Sequence, residues 1–160
     1  MSVAEQAGIA DLQAKLSEYW SKQALIAACR MRIEQPAFIP LSTKEKELDQ
    51  LLAFTAGDLA MTRHAGTIKK ETTPTRTIYR QKGKDLRNFQ TLIGTGGVIV
   101  HSDEPKQILS SCLQTRPENL KLQQPQMFID QHYILSTLGV LAQAYPQKAL
   151  QLMKELLRPL

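Results

Sequence analysis

The segment of this sequence that could most directly bind a ligand is a short glycine-rich run after an apolar stretch. The apolar stretch FQTLI ends at Ile93, and Gly94, Thr95, Gly96 and Gly97 follow it; residues 94–97 are named the glycine turn below. Glycines at the end of a buried strand let the backbone approach a flat or charged ligand, because no Cβ atom blocks the approach. Two interpretations remain open: a nucleotide base or ribose lies against the turn, or the glycines only supply the positive φ angles of a tight turn. The spacing matches neither a Walker A loop nor a Rossmann GxGxxG motif.

Ionisable side chains elsewhere in the chain form no recognisable catalytic pattern. The histidines, His64, His101 and His132, lie in three separate segments, and their spacing fits no zinc signature. We therefore interpret them as residues that serve packing or capping. Asp130 precedes an apolar helical pattern and is predicted to be a helix N-cap, not a catalytic carboxylate. Asp58 has no catalytic partner that the sequence reveals.

The two cysteines, Cys29 and Cys112, lie in opposite halves of the chain. This usage predicts buried thiols in a reducing cytoplasm, and it disfavours a disulfide or a metal pair. Cys112 falls on the apolar face of a predicted helix, where thiols are usually inert. No serine or threonine has a GxSxG-like setting. The residues therefore predict no active site that is complete in itself.

Composition and charge limit the class of protein. The 160 residues are 42% hydrophobic and 22% charged, which is typical of one folded domain. The net charge of +5 would suit nucleic acid, a nucleotide or an acidic partner protein. Many of the cations fall in one predicted hairpin region, together with Tyr79: Arg76, Arg80, Lys82, Lys84 and Arg87. One tyrosine is thin evidence for stacking on bases, so a solvated basic face is favoured over nucleic-acid binding. No run is long and apolar enough to span a membrane, and the start lacks a signal-peptide pattern, so we expect a cytoplasmic protein.

The elements that must position these residues follow from periodicity and turn signals. Apolar spacing predicts one or two helices over residues 8–30, and the prolines in residues 34–41 predict a connector. Ser42 and Glu45 form a predicted capping box, at the start of a helix that Gly66 ends. One stripe of this helix is predicted to face the core: Leu48, Leu51, Leu52, Thr55 and Leu59.

The second half of the chain has a mixed pattern. The segments TIKKETT and TIYRQKG flank PTR and predict a β-hairpin with an exposed basic face. FQTLI predicts a buried strand, and VIV after the glycine turn predicts a second extended piece. Three helices should follow, the first after Ser102 or Asp103 with Pro105 in its first turn, the second capped by Asp130 and the third starting at Pro146. The residues predicted to face inward on these helices are Ile108, Leu109, Cys112 and Leu113; Ile134, Leu138, Leu141 and Tyr145; and Leu150, Met153 and Leu157. The predicted fold class is mixed α/β.

Several short blocks of residues, taken in order, resemble the MutL family linked to glutamate mutase, which is unrelated to the mismatch-repair protein of the same name. The blocks are Leu59-Ala60, Arg63-His64-Ala65-Gly66, Thr73-Pro74, Gly83-Lys84-Asp85-Leu86, Ile93 with the glycine turn, Ile129-Asp130 with Tyr133, Leu138-Gly139-Val140-Leu141, and Pro146 with Ala149-Leu150. They cover about residues 48–160. Blocks in the right order are far more specific than any one of them.

The resemblance implies the C-terminal subdomain of an actin-like, ribonuclease H-like ATPase, in which helices pack a β-hairpin, a central strand and the glycine turn. It divides the chain into an N-terminal helical segment, residues 1–40, and the adenosine-side half of the ATPase, residues 41–160. Such ATPases resemble chaperone-like reactivating factors of adenosylcobalamin-dependent mutases. Gly94, Thr95, Gly96 and Gly97 would contact adenosine, while Arg63, His64, Lys84 and Asp85 match the family pattern without an assigned role.

The chain also departs from the family, whose members are several times longer and carry early glycine turns with aspartates that hold phosphate and Mg²⁺. No such loop occurs before residue 90 here, so we expect no hydrolysis by this chain alone and no metal held by it. The implied cofactor is ATP or ADP, bound weakly or only with the missing half. Implied partners are subunits of the cobalamin-dependent mutase, the missing half, or a second copy. The alternative is a non-catalytic interaction module that keeps the subdomain fold without binding nucleotide.

The departures extend to two positions near the hairpin and the turn. The segment from Val98 to His101 is more apolar than the family pattern predicts, and Arg76 stands where a glycine is expected in the hairpin turn. The first weakens the expectation of a ligand at the glycine turn, and the second predicts a different type of hairpin turn.

Overall fold

A computed structural model describes residues 3–160 of the protein, which form eight helices and five strands. The helices are α1 (Val3–Ala7), α2 (Ile9–Lys15), α3 (Lys22–Glu34), α4 (Thr43–His64), α5 (Gly97–Val100), α6 (Pro105–Ser110), α7 (Leu135–Ala144) and α8 (Pro146–Leu156). The strands are β1 (Thr67–Thr72), β2 (Thr77–Lys82), β3 (Thr91–Gly94), β4 (Gln126–Ile129) and β5 (Arg158–Pro159). The predicted mixed α/β class is therefore confirmed. Within residues 3–160, no helix has the length and apolar character that a membrane crossing requires.

The N-terminal helices share a core with the first half of α4. The buried members of this core come from four helices and one connector: Ala4, Leu12, Trp20, Leu25 and Leu48. Leu51 and Leu52 pack against them from the next turn of α4. The predicted apolar stripe of α4 is therefore confirmed at its N-terminal end, and it is what holds the first three helices in place.

The start of α4 follows the prediction in one half of the capping box only. The Ser42 hydroxyl accepts a hydrogen bond from the Glu45 amide at 3.2 Å, as an N-cap does. The Glu45 carboxylate does not reach back to the cap. It pairs with Arg32 of α3 at 2.5 Å, and Asp49 binds the same guanidinium. Arg32 is mostly buried, and an ion pair with two carboxylates offsets the desolvation that its burial costs.

Two glycines allow the chain to cross itself after α4. The helix ends at His64, and Gly66 lies beyond it with its Cα facing Gly83. A Cβ atom on Gly66 would collide with the backbone of Lys82 and Gly83, so this glycine serves a close backbone approach and not a positive-φ helix stop. Gly83 itself has a φ of +88°, a conformation that favours glycine.

The predicted hairpin is confirmed, and it stands beside a separate three-stranded sheet. β1 and β2 pair antiparallel, with Thr67 opposite Lys82 and Thr72 opposite Thr77. In the second sheet β3 pairs parallel with β4, and β5 adds antiparallel to the other edge of β4. The sequence analysis did not predict β4 or β5. The parallel β3–β4 pair matters most, because it sets the geometry around the glycine turn.

One predicted strand is a helix instead. The VIV segment forms the last three residues of α5, where the Ile99 and Val100 amides both donate to the Gly96 carbonyl, at 3.1 and 3.0 Å. Gly96 has a φ of +99°, which turns the chain sharply after β3 and sets up this short helical turn. The β propensity of Val and Ile yields here to the local hydrogen bonds that the glycine makes possible.

The three C-terminal helices are present, with differences at their ends. Ile108 and Leu109 of α6 are buried as predicted, whereas Cys112 and Leu113 lie beyond the end of that helix. On α7, Leu138 is buried as predicted, but Tyr145 is 61% exposed because it is the C-cap, with a non-helical φ of −136°.

The inward face of α8 also differs from the prediction. Ala149 is buried at this position of the helix, and the neighbouring Leu150, predicted to face inward, is 52% exposed. Helices α7 and α8 pack against each other, and the small Ala149 side chain lets α8 approach its neighbour closely.

Candidate functional site

The carboxyl ends of two parallel strands form the edge on which the glycine turn lies. β3 ends at Gly94 and β4 ends at Ile129, so Thr95 and Asp130 leave the sheet side by side. The Asp130 amide donates to the Gly94 carbonyl at 2.9 Å. The Thr95 hydroxyl donates to the Asp130 carboxylate, with 3.4 Å between Oγ1 and Oδ2. Ligands of open α/β sheets bind outside this edge, so the turn occupies a position where a binding site is expected.

Asp130 is the buried anchor of this edge, only 2% exposed. Its carboxylate accepts hydrogen bonds from the Ile134 amide at 2.9 Å and the Leu135 amide at 3.2 Å, which are among the first amides of α7. The prediction that Asp130 is the N-cap residue is wrong, because the N-cap of α7 is Ile134, four residues later. The Asp130 side chain instead reaches the amides of the N-cap and of the first helical residue. Through hydrogen bonds to these amides and to Thr95, the Asp130 carboxylate positions the turn against α7.

The three glycines of the turn differ in why a side chain is absent. A Cβ atom on Gly94 would lie 2.9 Å from Ile99 Cγ2 and about as close to the Leu109 side chain. Gly94 is buried, so its missing side chain makes room for the apolar core under the turn. Packing against Ile99 and Leu109 therefore explains the glycine at position 94 without a ligand.

Gly96 and Gly97 are exposed, and a Cβ atom on either would meet no atom within 4 Å. Gly96 needs its positive φ of +99° for the chain to turn, whereas Gly97 has an ordinary helical backbone at the start of α5. Nothing in the described chain requires a glycine at position 97. A ligand or a partner that approaches the backbone there would require one.

An aromatic side chain borders the turn in a strained backbone conformation. Tyr133 has a φ of +54°, and it is the one residue other than glycine in the positive-φ region among residues 3–160. Its hydroxyl lies 3.4 Å from Nε2 of His101, the C-cap of α5, and the residue is 46% exposed. Strain of this kind concentrates at functional sites. The sequence analysis placed Tyr133 only in the family pattern, since no periodicity reveals a left-handed residue.

The turn lies on an open surface. Two shallow clefts in the described part of the chain have volumes of about 450 and 440 Å³, and neither is lined by residues of the glycine turn. One lies along α3, between Gln23 and Glu34, and the other lies between Arg87 and Gln123. A ligand at the turn would be covered on one side only by this chain.

The other candidate side chains do not gather into a site. Among residues 3–160, histidine, cysteine, aspartate and glutamate form no cluster of three that could hold a metal ion. His64 and His132 are exposed, and only His101 lies near the turn. Cys29 and Cys112 are free, and burial raises the pKa of both thiols, which keeps them protonated and poorly nucleophilic near neutral pH.

The four family-pattern residues without a predicted role lie at the end of α4 and the base of the hairpin. Arg63 donates to the side chain of Gln6, and His64 is the exposed last residue of α4. The Lys84 carbonyl accepts from the Gly66 amide at 2.6 Å. Asp85 accepts two hydrogen bonds from the Arg87 side chain, at 2.9 and 2.7 Å, and these lower the pKa of the Asp85 carboxyl. Of these contacts, the Lys84 hydrogen bond belongs to the crossing of the chain, and Arg63 joins α4 to α1. None of them reaches the glycine turn.

Sequence reasoning missed one buried ion pair. Lys121 is only 1% exposed, and its Nζ donates to the Asp58 carboxylate at 2.6 Å and to the Asp58 carbonyl at 3.2 Å. It lies between Leu120 and Leu122, which are buried as well. The sequence carries no spacing signal for a pair that joins α4 to a segment 63 residues later. Lys121 therefore fixes the segment that leads into β4.

Comparison with known proteins identifies relatives of the chain. The family model described as MutL protein matches residues 1–157. Protein MutL of Clostridium tetanomorphum is 44% identical over 133 residues, which cover 82% of this chain and 29% of that relative. The chain thus spans less than a third of the length of the curated relative that it matches. No solved structure matches it.

Proposed function

Because this chain belongs to the MutL protein family, we propose that it is the adenosine-nucleotide-binding part of an actin-like, ribonuclease H-like ATPase, with residues 41–160 forming the adenosine-side half. One observation carries the proposal most directly. Gly97 is an exposed glycine at the carboxyl edge of two parallel strands, and no atom of the chain lies within 4 Å of where its Cβ would be. The backbone at Gly96 and Gly97 is therefore open to a base or ribose at the edge where ligands of parallel sheets bind.

Each residue near the turn has a distinct part in this proposal. Gly96 and Gly97 supply backbone surface against adenosine, and Gly94 keeps the turn close to the core. Asp130 fixes the turn and the start of α7 relative to each other through the Thr95 hydroxyl and two amides. The Tyr133 hydroxyl contacts His101, the C-cap of the helix that begins at Gly97, and we assign the exposed Tyr133 side chain the part of a flat face for the base.

The chain is not proposed to hydrolyse ATP by itself. Phosphoryl transfer depends on groups that position the phosphates and stabilise their charge, and the glycine turn offers neither a lysine nor an available carboxylate. We place those groups in segments that the longer members of the family possess. ATP or ADP would therefore bind weakly to this chain, or only when the other half of the cleft is present.

The proposed role of the complete machine is to serve an adenosylcobalamin-dependent mutase of the glutamate mutase type, as a chaperone-like ATPase. Support for this role is membership of the MutL family. Partners would be the mutase subunits and the phosphate-side half of the ATPase.

Calorimetric titration with ATP and ADP tests the nucleotide site, and the structure indicates which substitution to use. Gly96→Val would strain a positive-φ turn and would confuse misfolding with loss of binding. Gly97→Val places its side chain in open space, and valine is no worse than glycine in a helix, so the fold should survive. We expect affinity to fall by at least about tenfold.

Gly139→Val is the matched control, since Gly139 is also an exposed helical glycine with no atom within 4 Å of a Cβ. It should leave the nucleotide affinity unchanged. Equal affinity of the Gly97→Val variant and the parent would contradict the assignment of the turn.

A second candidate function is a non-catalytic interaction module, and the exposed apolar side chains of the last two helices favour it. Val140 is 69% exposed, and Leu150, Leu152 and Leu156 of α8 are also exposed. Exposed apolar side chains can provide contacts for another protein, for the missing half or for a second copy. Absence of any heat of binding at millimolar nucleotide, with the fold intact, would favour this candidate.

A further inference from the structure

The β1–β2 hairpin projects from the body of the protein. Only Ile68 and Ile78 are partly buried in its two strands, and every other strand residue is exposed on both faces of the ribbon. The hairpin is held at its base, where the Ile68 amide donates to the Glu118 carbonyl at 2.8 Å and Thr67 forms a bridge with Asn119. A two-stranded ribbon is marginally stable by itself, so an exposed one is expected to have a use that compensates.

The hairpin also carries most of the net charge of the chain. Residues 67–82 contain five cations and one acid, so they hold +4 of the total of +5. The cations are Lys69, Lys70, Arg76, Arg80 and Lys82, and the acid is Glu71. Glu71 pairs with Arg80 at 2.8 Å. Among residues 3–160, the other four cations form no ion pair.

The strand register opposes like charges. Lys69 lies directly across from Arg80, and Lys82 follows two residues later on the same face. Like charges in directly opposite positions destabilise a β-ribbon, and only Glu71 offsets them. A fold would gain stability by avoiding this arrangement, so its presence on a marginal hairpin points to an anionic surface that covers it in use.

We propose that the hairpin is a docking arm for a partner protein that presents a surface rich in aspartate and glutamate. One feature favours a protein over nucleic acid: within residues 67–82, Tyr79 is the single aromatic residue available for stacking on a base. A second copy of the hairpin carries the same charge of +4 and would be repelled. The proposal does not depend on nucleotide binding at the glycine turn.

The arm can be tested on the whole chain with a fluorescent poly-L-glutamate peptide and fluorescence anisotropy. In the first variant, Lys69→Gln and Lys82→Gln neutralise two cations that hold no ion pair. In the matched control, Lys148→Gln and Lys154→Gln neutralise two exposed lysines of α8. The hairpin variant should bind the peptide about tenfold more weakly, and the control should change by less than about twofold. Glu71→Gln should bind about threefold more tightly.

Three results would overturn the proposal. If the two lysine variants lost the same affinity for the peptide, binding would depend on the net charge of the chain and not on the hairpin. If poly-L-glutamate did not bind at low salt, where charge attraction is least screened, an acidic partner would be excluded. Tighter binding of duplex DNA of equal charge than of poly-L-glutamate would assign the arm to nucleic acid. Thermal unfolding of each variant checks the fold, and the Lys69→Gln/Lys82→Gln variant should be as stable as the parent or more so, because it relieves repulsion.

Discussion

The buried pair of Lys121 and Asp58 makes a prediction that distinguishes its two members. Lys121 is 1% exposed, whereas the Asp58 side chain is 45% exposed. Removing the carboxylate leaves a buried ammonium without its counter-charge, and removing the lysine leaves a carboxylate that water can solvate. The two substitutions should therefore have unequal costs.

We expect Asp58→Asn to lower the free energy of unfolding by about 2–3 kcal/mol. Breaking a fully buried ion pair costs about 3–5 kcal/mol, and the figure is reduced here because Asp58 is half exposed. Lys121→Met keeps a similar side-chain length between two buried leucines and should cost less than about 1 kcal/mol. The double variant should be close to Lys121→Met alone, since no buried charge remains.

Urea unfolding followed by circular dichroism measures these differences. A loss of about 2 kcal/mol should move the Asp58→Asn midpoint down by about 1 M urea. Equal midpoints for Asp58→Asn and Lys121→Met would refute the reasoning. A double variant that is less stable than Asp58→Asn would do so as well.

Two further predictions concern the packing under the glycine turn and the base of the hairpin. Gly94→Ala should lower the free energy of unfolding by about 1–3 kcal/mol in thermal unfolding, because its Cβ atom would press on Ile99; an unchanged melting temperature would contradict this. Arg87 lowers the pKa of Asp85, so the pair contributes stability above the unfolded-state pKa of about 3.9, and this contribution is lost as pH falls through the lower, folded-state pKa. The melting temperature of the Asp85→Asn variant should therefore fall less than that of the parent as the pH is lowered. If both melting temperatures fell by the same amount, the pair would contribute no stability.

The local features of the fold could be predicted from the sequence. Ser42 caps α4, two Thr-rich segments form the hairpin, and Ile108 and Leu109 face the core, because each follows from propensity or periodicity over a few residues. Family membership was also predictable, since ordered blocks of residues carry it without any structure.

Features that depend on distant parts of the chain could not be predicted. β4 is four residues long, and it is a strand because β3 lies beside it. The pairing of Lys121 with Asp58 joins segments that no spacing relates. VIV became helical because Gly96 folds the chain back on itself, an effect that a propensity scale for Val and Ile does not contain.

The glycines show why the sequence motif alone could not decide whether the turn binds a ligand. Gly66 and Gly94 lack side chains because the protein occupies the space, and Gly96 is required by its φ angle. Position 97 has neither constraint, and its place beside the ends of β3 and β4 is what makes it a candidate ligand contact. These reasons for a glycine can be distinguished only from the atoms around each position and from its φ angle. The sequence GTGG contains neither kind of information.

The two proposed contact surfaces share a supporting segment. The Leu120 amide donates to the Gly66 carbonyl at the hairpin base, and the chain runs from Lys121 into β4 and on to Asp130 at the glycine turn. Asp58→Asn loosens the point where this segment is fixed to α4, so it should weaken both nucleotide and poly-L-glutamate binding. Gly97→Val and the Lys69→Gln/Lys82→Gln variant each change one surface and should each affect one ligand only. If the Gly97→Val variant lost both ligands, the turn would be supporting the hairpin, and its glycine would be explained by the fold and not by adenosine.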